Sequence, residues 1–241
     1  MITLRADLDK RVTARPHGSD IMSKHLLRDL DHLQRSLLSL ASSVEEAIHK
    51  AIQSLHERQV VPAEEVIEGD SSIDEEENHI EEECLKLLAL HQPVAIDLRR
   101  IASVLKINAE LERMADLAED IAERSLHLLK LPPIAMPPKL QRMADVTTSM
   151  VRQCIDAFVH LDTRLARSVC RLDDEVDRHN RDIIDDLIEL MKTNPNMVEP
   201  GISLFSATRH LERIADHATN IAEDVVYLVE GEIIRHRQPS V

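Results

Sequence analysis

The chain has 241 residues, of which 43% are hydrophobic, and it carries a formal net charge of −15. One Tyr, two Phe, no Trp and four Gly are few for the strands and tight turns of a sheet protein, so the composition predicts an all-α fold with an aliphatic core. A chain this acidic repels nucleic acid and anionic lipid, and it favours cations or basic partner surfaces.

The first half of the chain is predicted to form three helices. Residues 1–18 have mixed charge and no sustained apolar period, so we expect them to form a flexible N-terminal arm. Apolar residues spaced three and four apart predict a helix up to about residue 57. Two more helices are expected at about 62–91 and 95–129, so that residues 19–131 make one three-helix bundle.

A proline-rich segment separates this bundle from the second half. Four prolines within residues 132–138 exclude a helix interior, and we interpret the segment as a hinge. Helices are then predicted at about 139–160 and 163–192. A last helix follows the Pro200–Gly201 dipeptide and runs to about residue 237, so that residues 139–241 form a second three-helix bundle.

An internal repeat relates the two halves. Residues 111–123 read LERMADLAEDIAE and residues 211–223 read LERIADHATNIAE, with nine of the thirteen positions identical. A shift of 103 residues also lays Asp70 and Asp74 on Asp173 and Asp177. The repeat predicts two tandem, related three-helix bundles.

Carboxylates recur at helical spacing within this repeat. Glu112, Asp116 and Asp120 are four residues apart and form one ridge of negative charge on the third predicted helix. Like charges at this spacing disfavour a helix by a few tenths of a kcal/mol per pair. The ridge is either a solvated face or one side of a hard-cation site, completed by a parallel ridge on the preceding helix at Asp70, Asp74 and Glu77. Oxygen ligands without cysteine suit magnesium, calcium, manganese or iron better than structural zinc.

Two Glu-x-x-His pairs raise a different metal hypothesis. Glu46–His49 and Glu76–His79 have the spacing found in di-iron carboxylate bundles, which would make the chain a metal-storage or ferroxidase-like protein. Such ligands point into a bundle core, whereas these pairs lie away from the apolar stripes of their helices. Chance surface pairs are therefore the favoured interpretation. The chain has no P-loop, GxGxxG or nucleophile-elbow motif, so we expect it not to be an enzyme.

The cysteines and the apolar stretches indicate the compartment. Cys84, Cys154 and Cys170 are odd in number and form no CxxC pair, which is typical of free thiols in a reducing environment. No stretch approaches the roughly 20 apolar residues of a membrane helix. We therefore expect a cytoplasmic protein that neither inserts into the membrane nor binds nucleic acid.

Three segments, taken together, resemble the PhoU family, the phosphate-specific transport system accessory proteins. Residues 64–74 (EEVIEGDSSID) are similar to the family's turn into its second helix. Residues 91–123, from HQPVAIDLRRI to LKINAELERMADLAEDIAE, resemble its first-half signature, and residues 209–231 resemble its second-half signature. The order and spacing of these segments are also those of the family. The resemblance spans about residues 20–237.

This resemblance implies a function that the helical pattern does not. It implies a cytoplasmic negative regulator of phosphate uptake and of phosphate-regulon signalling, built as two similar three-helix bundles and often a homodimer. Such a protein would link a phosphate ABC transporter ATPase to a sensor histidine kinase, and would reach the inner face of the membrane through these partners.

The family's metal motifs map onto carboxylates of both halves. They imply that iron, zinc, magnesium or manganese binds at the following positions: Asp70, Asp74, Glu77, Glu112, Asp116, Asp120, Asp173, Asp177, Glu212, Asp216 and Asn220. The chain departs from the family pattern at Asp120, where Asn is usual, and at Ala115 and Ala215, where Gly is usual. His91 stands where the family usually has Arg.

Overall fold

The computed structural model describes residues 18–231, with side chains from His25 onward, and these residues form six α-helices and no strand. The all-α prediction is therefore confirmed, and the predicted arm lies outside the described residues apart from Gly18, which begins the first helix. The helices are α1 Gly18–Glu57, α2 Val60–His91, α3 Ala95–Leu129, α4 Pro138–His160, α5 Thr163–Thr193 and α6 Val198–Glu230.

Local chemistry sets several of the helix ends. Asp162 caps α5 by accepting hydrogen bonds from the backbone N–H groups of Arg164 and Leu165. Gly231 ends α6 in a left-handed conformation with φ of 74°. The predicted start of α6 was wrong, because the helix begins at Val198 and includes Pro200 in its first turn, where a missing N–H costs no intrahelical bond.

One aliphatic core runs through both halves. Helices α1, α3, α4 and α6 meet at its centre, where Ile52, Ile121, Ala144 and Leu211 line a common small cavity. α2 packs against α1 and α3, and α5 packs against α4 and α6. α2 and α5 are therefore the outer helices, and each turns one face towards the inner helix that follows it in the chain.

α3 and α6 cross as an antiparallel pair between the halves. As residue numbers rise along α3, the numbers of their partners on α6 fall, as three polar contacts show: Lys106–Asp224 at 2.9 Å, Glu110–Asn220 at 3.0 Å and Asp120–His210 at 3.5 Å. Ala115 lies between Glu110 and Asp120 on α3, and Ala215 lies between His210 and Asn220 on α6; the two alanines are 2% and 0% exposed. Small side chains at this crossing allow the two backbones to approach closely.

Candidate metal centre

Three aspartates converge where α2 faces α3. Asp70 and Asp74 lie one turn apart on α2, and Asp116 lies opposite them on α3. One carboxylate oxygen from each lies within 4.8 Å of the others. Asp70 is half-buried, whereas Asp74 and Asp116 are exposed, so a cation from solvent can reach the cluster.

Negative charge concentrates around these aspartates, which we call the first carboxylate cluster. Burial and the charges of Asp74 and Asp116 raise the pKa of Asp70. Burial, Asp74 and Asp120 raise the pKa of Asp116. Burial raises the pKa of Glu112 as well, helped by Asp116 and other acidic neighbours. These carboxylates are therefore held in an environment that resists their ionisation, and a bound cation would relieve it.

Glu77 lies beside the cluster but already has a partner. Its Oε1 accepts a hydrogen bond of 2.8 Å from the side-chain amide of the buried Asn108 on α3. Burial and the charges of Glu81 and Asp74 raise its pKa. Glu77 thus ties α2 to α3 and adds charge next to the three aspartates, but it does not belong to the set of three converging oxygens.

The equivalent face of the second half, between α5 and α6, holds a second carboxylate cluster of Asp173, Asp177, Glu212 and Asp216. Burial and the nearby charges of Asp216 and Asp177 raise the pKa of Asp173 to about 6. Burial and the charge of Asp177 also raise the pKa of Asp216. The second half therefore reproduces the electrostatic environment of the first.

Glu212 shows a further sign of a ligand-binding face. Its Oε1 accepts a hydrogen bond of 2.8 Å from Arg209, whereas its buried Oε2 has no hydrogen-bond partner in the described part of the chain. A buried carboxylate oxygen without a partner is costly, and a bound cation would satisfy it. Among the described residues, however, only the first cluster brings three carboxylate oxygens within 4.8 Å.

Two predicted ligands are engaged elsewhere. Asp120 lies 3.5 Å from His210 on α6, and the Asn220 side chain donates a hydrogen bond of 3.0 Å to Glu110 on α3. Both residues therefore act across the α3–α6 crossing rather than among the converging oxygens. The repeat correctly predicted the helix on which each of these residues lies. It did not predict which neighbouring helix each side chain faces.

The donor set fits hard cations. Every candidate ligand in the two clusters is a carboxylate, which suits magnesium, manganese or iron and lacks the nitrogen and sulfur donors of structural zinc. The Glu-x-x-His pairs do not form a core site, since Glu46 and His49 are exposed on α1 and Glu46 pairs with Lys50. His79 is likewise exposed on α2.

A buried polar group between the two halves was not predicted from the sequence. Glu110 is 8% exposed and accepts a hydrogen bond of 2.6 Å from His217 as well as the bond from Asn220. A comparison of the repeats offers a signal, because Glu110 aligns with His210 and His217 aligns with Leu117. The two copies of the repeat therefore carry different side chains at this crossing, although most positions of their shared motif are identical.

No helix among the described residues is both long enough and apolar enough to span a bilayer.

Comparisons with known proteins agree with this architecture. The PhoU domain model matches the chain twice, over residues 37–125 and 140–225. A relative from Aquifex aeolicus (strain VF5), named phosphate-specific transport system accessory protein PhoU homolog, is 40% identical over 212 residues, which are 88% of this chain and 96% of the relative. A relative of the same name from Pseudomonas aeruginosa is 34% identical and covers 89% of each chain.

Two solved structures have a similar fold. The crystal structure of PhoU from Pseudomonas aeruginosa superposes with a TM-score of 0.82 at 35% identity, covering 85% of this chain and 99% of that one. The phosphate transport system regulatory protein PhoU from Streptococcus pneumoniae superposes with a TM-score of 0.79 at 32% identity, covering 86% and 98%. The similarity extends over nearly the whole of both relatives.

Proposed function

This chain belongs to the PhoU family, and on that premise we propose that it is an accessory regulator of phosphate-specific transport that represses phosphate uptake and phosphate-regulon signalling. The observation that carries the proposal is the double match to the family domain together with the near-complete coverage of relatives bearing that name. We further propose that it acts without catalysis, by contacts that link a phosphate ABC transporter ATPase to a sensor histidine kinase.

The arrangement of the helices supports an adaptor role. α2 with α3, and α5 with α6, present two similar acidic faces, one in each half. Acidic faces of this kind attract basic partner surfaces and accelerate their encounter. Two related faces on one core would allow the protein to contact two partners at once, which is what an adaptor requires.

We propose that cations bound at the carboxylate clusters tune these faces. A divalent cation on Asp70, Asp74 and Asp116 would cancel part of the local negative charge and would draw α2 towards α3. The proposed location is the cytoplasm, at the inner face of the membrane when partners are bound, and the proposed assembly is a homodimer.

Deletion of the gene in its host, followed by complementation, tests this function. The deletion should derepress a phosphate-regulon reporter in phosphate-rich medium, and the intact gene should restore repression. Unchanged reporter expression in the deletion strain would refute the regulatory role. Affinity capture from cells grown at high phosphate should recover a transporter ATPase and a histidine kinase, and loss of only one of them would reduce the proposal to a single partner.

A triple variant tests the role of the first cluster. Asp70→Asn, Asp74→Asn and Asp116→Asn together should lower the metal content and weaken repression. Glu68→Gln, Glu75→Gln and Glu82→Gln form the matched control, because they remove the same charge from exposed positions on the other side of α2. Equal loss of repression in both variants would show that overall charge, rather than the cluster, matters.

A further inference from the structure

A groove between α1 and α2 lies on the other side of α2 from the first carboxylate cluster. It encloses about 420 Å³ and is formed by the first half of α1 and the last half of α2. This volume lies within the usual range of small-molecule sites. The groove is lined by polar residues, namely Arg28, Asp29, His32, Arg35, Ser36, His79, Glu83 and Lys86, and by four leucine or isoleucine side chains.

Positive charge predominates in this groove although the chain as a whole is strongly acidic. Arg28, Arg35 and Lys86 outnumber Asp29 and Glu83, and two histidines can donate hydrogen bonds to an anion. This local excess of cations contrasts with the net charge of −15 of the whole chain. It produces a local field that attracts anions.

The two arginines of the groove remain available to a ligand, whereas Lys86 already pairs with Glu83 at 2.6 Å. Arg35 makes no hydrogen bond or ion pair with the described part of the chain. Arg28, whose side chain is 72% exposed, pairs with its neighbour Asp29 at 3.3 Å, and the half-buried Asp29 also lies 3.3 Å from His91. Exposed pairs of this type contribute little, so a multiply charged anion can displace Asp29 at small cost.

The groove has no counterpart in the second half. α1 has 40 residues whereas α4 has 23, so the part of α1 that carries Arg28 and His32 corresponds to no helix in the second half. The shift of 103 residues that relates α2 to α5 places His79, Glu83 and Lys86 on three acidic residues, Asp182, Asp186 and Glu189. The first half alone therefore combines a longer helix with basic side chains at two of these three positions, His79 and Lys86.

We propose that this groove binds a small molecule bearing phosphate groups, most effectively one with two or more linked phosphates. Guanidinium groups match phosphate oxygens with paired hydrogen bonds, and several cations spaced along a groove favour an extended polyanion. A helical protein partner would gain less, because Leu33, Ile80 and Leu87 in the floor are already 2%, 1% and 5% exposed. Leu90, which is 74% exposed, is the one apolar lining side chain that still offers a large area to bury.

Isothermal titration calorimetry at low salt tests this site on the full-length protein. Tripolyphosphate and pyrophosphate should bind with about one site per chain, and orthophosphate should bind more weakly. Citrate is a multiply charged anion without phosphorus, and binding as tight as that of tripolyphosphate would overturn the assignment to phosphate. Absence of any tripolyphosphate binding would overturn the site itself.

Variants distinguish this groove from the carboxylate clusters and from general charge. Arg28→Gln with Arg35→Gln should weaken tripolyphosphate binding about tenfold or more, since two charge-assisted contacts are lost. Arg178→Gln with Arg181→Gln on α5 removes the same charge from exposed positions and should leave binding unchanged. Equal weakening in the two variants would show only non-specific attraction.

Two further samples test whether tripolyphosphate binds through a metal ion. They are the protein treated with a chelator and the triple aspartate variant of the first cluster. Both should keep the affinity of the untreated protein for tripolyphosphate, and loss of binding in either would overturn the groove as the site.

Histidine ring resonances followed by NMR should shift for His32 and His79 on addition of tripolyphosphate. Shifts confined to other histidines would contradict the proposal. This site goes beyond the proposed regulatory function, and its test stands independently of the reporter assay.

Discussion

Glu110 on α3 accepts a hydrogen bond of 2.6 Å from Nδ1 of His217 on α6, and the two side chains are only 10% and 12% exposed. Burial alone would raise the pKa of Glu110, but hydrogen bonds from His217 and Asn220 and the nearby charge of Arg113 hold it below its usual value. This contact joins the two copies of the repeat at their antiparallel crossing. The halves are thus connected by a specific polar pair as well as by the shared aliphatic core.

A double-mutant cycle on this pair should reveal coupling. Glu110→Ala and His217→Ala each leave one buried polar group without its partner, so each is expected to cost about 3 kcal/mol of unfolding free energy. The double variant should be less destabilised than the sum, by about 1 to 2 kcal/mol, when measured by urea denaturation. Glu189 and Lys192 form an exposed pair on α5, and the same cycle there should give a coupling near zero.

The contribution of Glu110 should also depend on pH in a defined direction. Its pKa is lower in the folded protein than in the unfolded chain, so its stabilising effect is fully present above the unfolded value and is lost as pH falls through the folded one. The difference in unfolding free energy between the wild type and Glu110→Gln should therefore be largest near neutral pH and should shrink below about pH 4. A difference independent of pH would contradict this assignment.

The pH dependence expected from the first carboxylate cluster is opposite in sign to that of Glu110. The pKa values of Asp70 and Asp116 are raised in the folded protein, so the contribution of these two groups to stability is greatest at low pH and declines as pH rises through the folded values. Addition of manganese or magnesium should therefore raise the melting temperature at pH 7 and have a smaller effect at pH 4, where protons compete for the same oxygens.

The triple variant Asp70→Asn, Asp74→Asn and Asp116→Asn separates the two effects of the cluster. Without added metal it should melt higher than the wild type at pH 7, because the like-charge repulsion is removed. The rise in its melting temperature on addition of cations should fall to the part that comes from the second cluster. The control variant Glu68→Gln, Glu75→Gln and Glu82→Gln should keep the full response, and a lost response there would place the cation elsewhere on α2.

Asp173 offers a single-residue test in the second half. Its pKa of about 6 lies above that of an ordinary aspartate, so its own contribution to stability declines as pH rises from about 4 to about 6. Asp173→Asn should remove this loss and raise unfolding free energy at pH 7 by about 1 kcal/mol, a value reduced for the partial exposure of the group. That corresponds to a rise of about 2 to 4 °C in melting temperature by calorimetry. Asp185→Asn, at an exposed position further along α5, should change it little.

The sequence predicted the helices better than the contacts between them. Proline positions and apolar spacing located α3 at Ala95–Leu129, as the structure has it, because these signals act within a few residues of the helix ends. They also placed Asp116 on the face that meets Asp70 and Asp74. The same spacing could not show that Asp120 lies near His210 on α6. Helical spacing predicts the face on which a residue lies, but it does not identify the helix that packs against that face.

The buried state of Glu110 was hidden for a related reason. A glutamate among apolar residues is ordinarily read as exposed, and only a partner from the other half, His217, makes its burial favourable. The pairing joins residues 107 positions apart in the chain. The antiparallel crossing of α3 and α6 therefore had to be known before this contact could be predicted.

The crossing itself can be tested at Ala115. If the two alanines set the distance between α3 and α6, then Ala115→Leu should force the helices apart and lower unfolding free energy by about 1 to 3 kcal/mol. Ala215→Leu should do the same, and the double variant should cost less than the sum, because the first leucine has already separated the backbones. Ala89→Leu, at an exposed position on α2, should be nearly neutral by urea denaturation. Strictly additive costs would show that the two alanines do not share one contact. If the crossing widens as expected, the Glu110–His217 bond one turn away should weaken too, and the pH dependence assigned to Glu110 should diminish in Ala115→Leu.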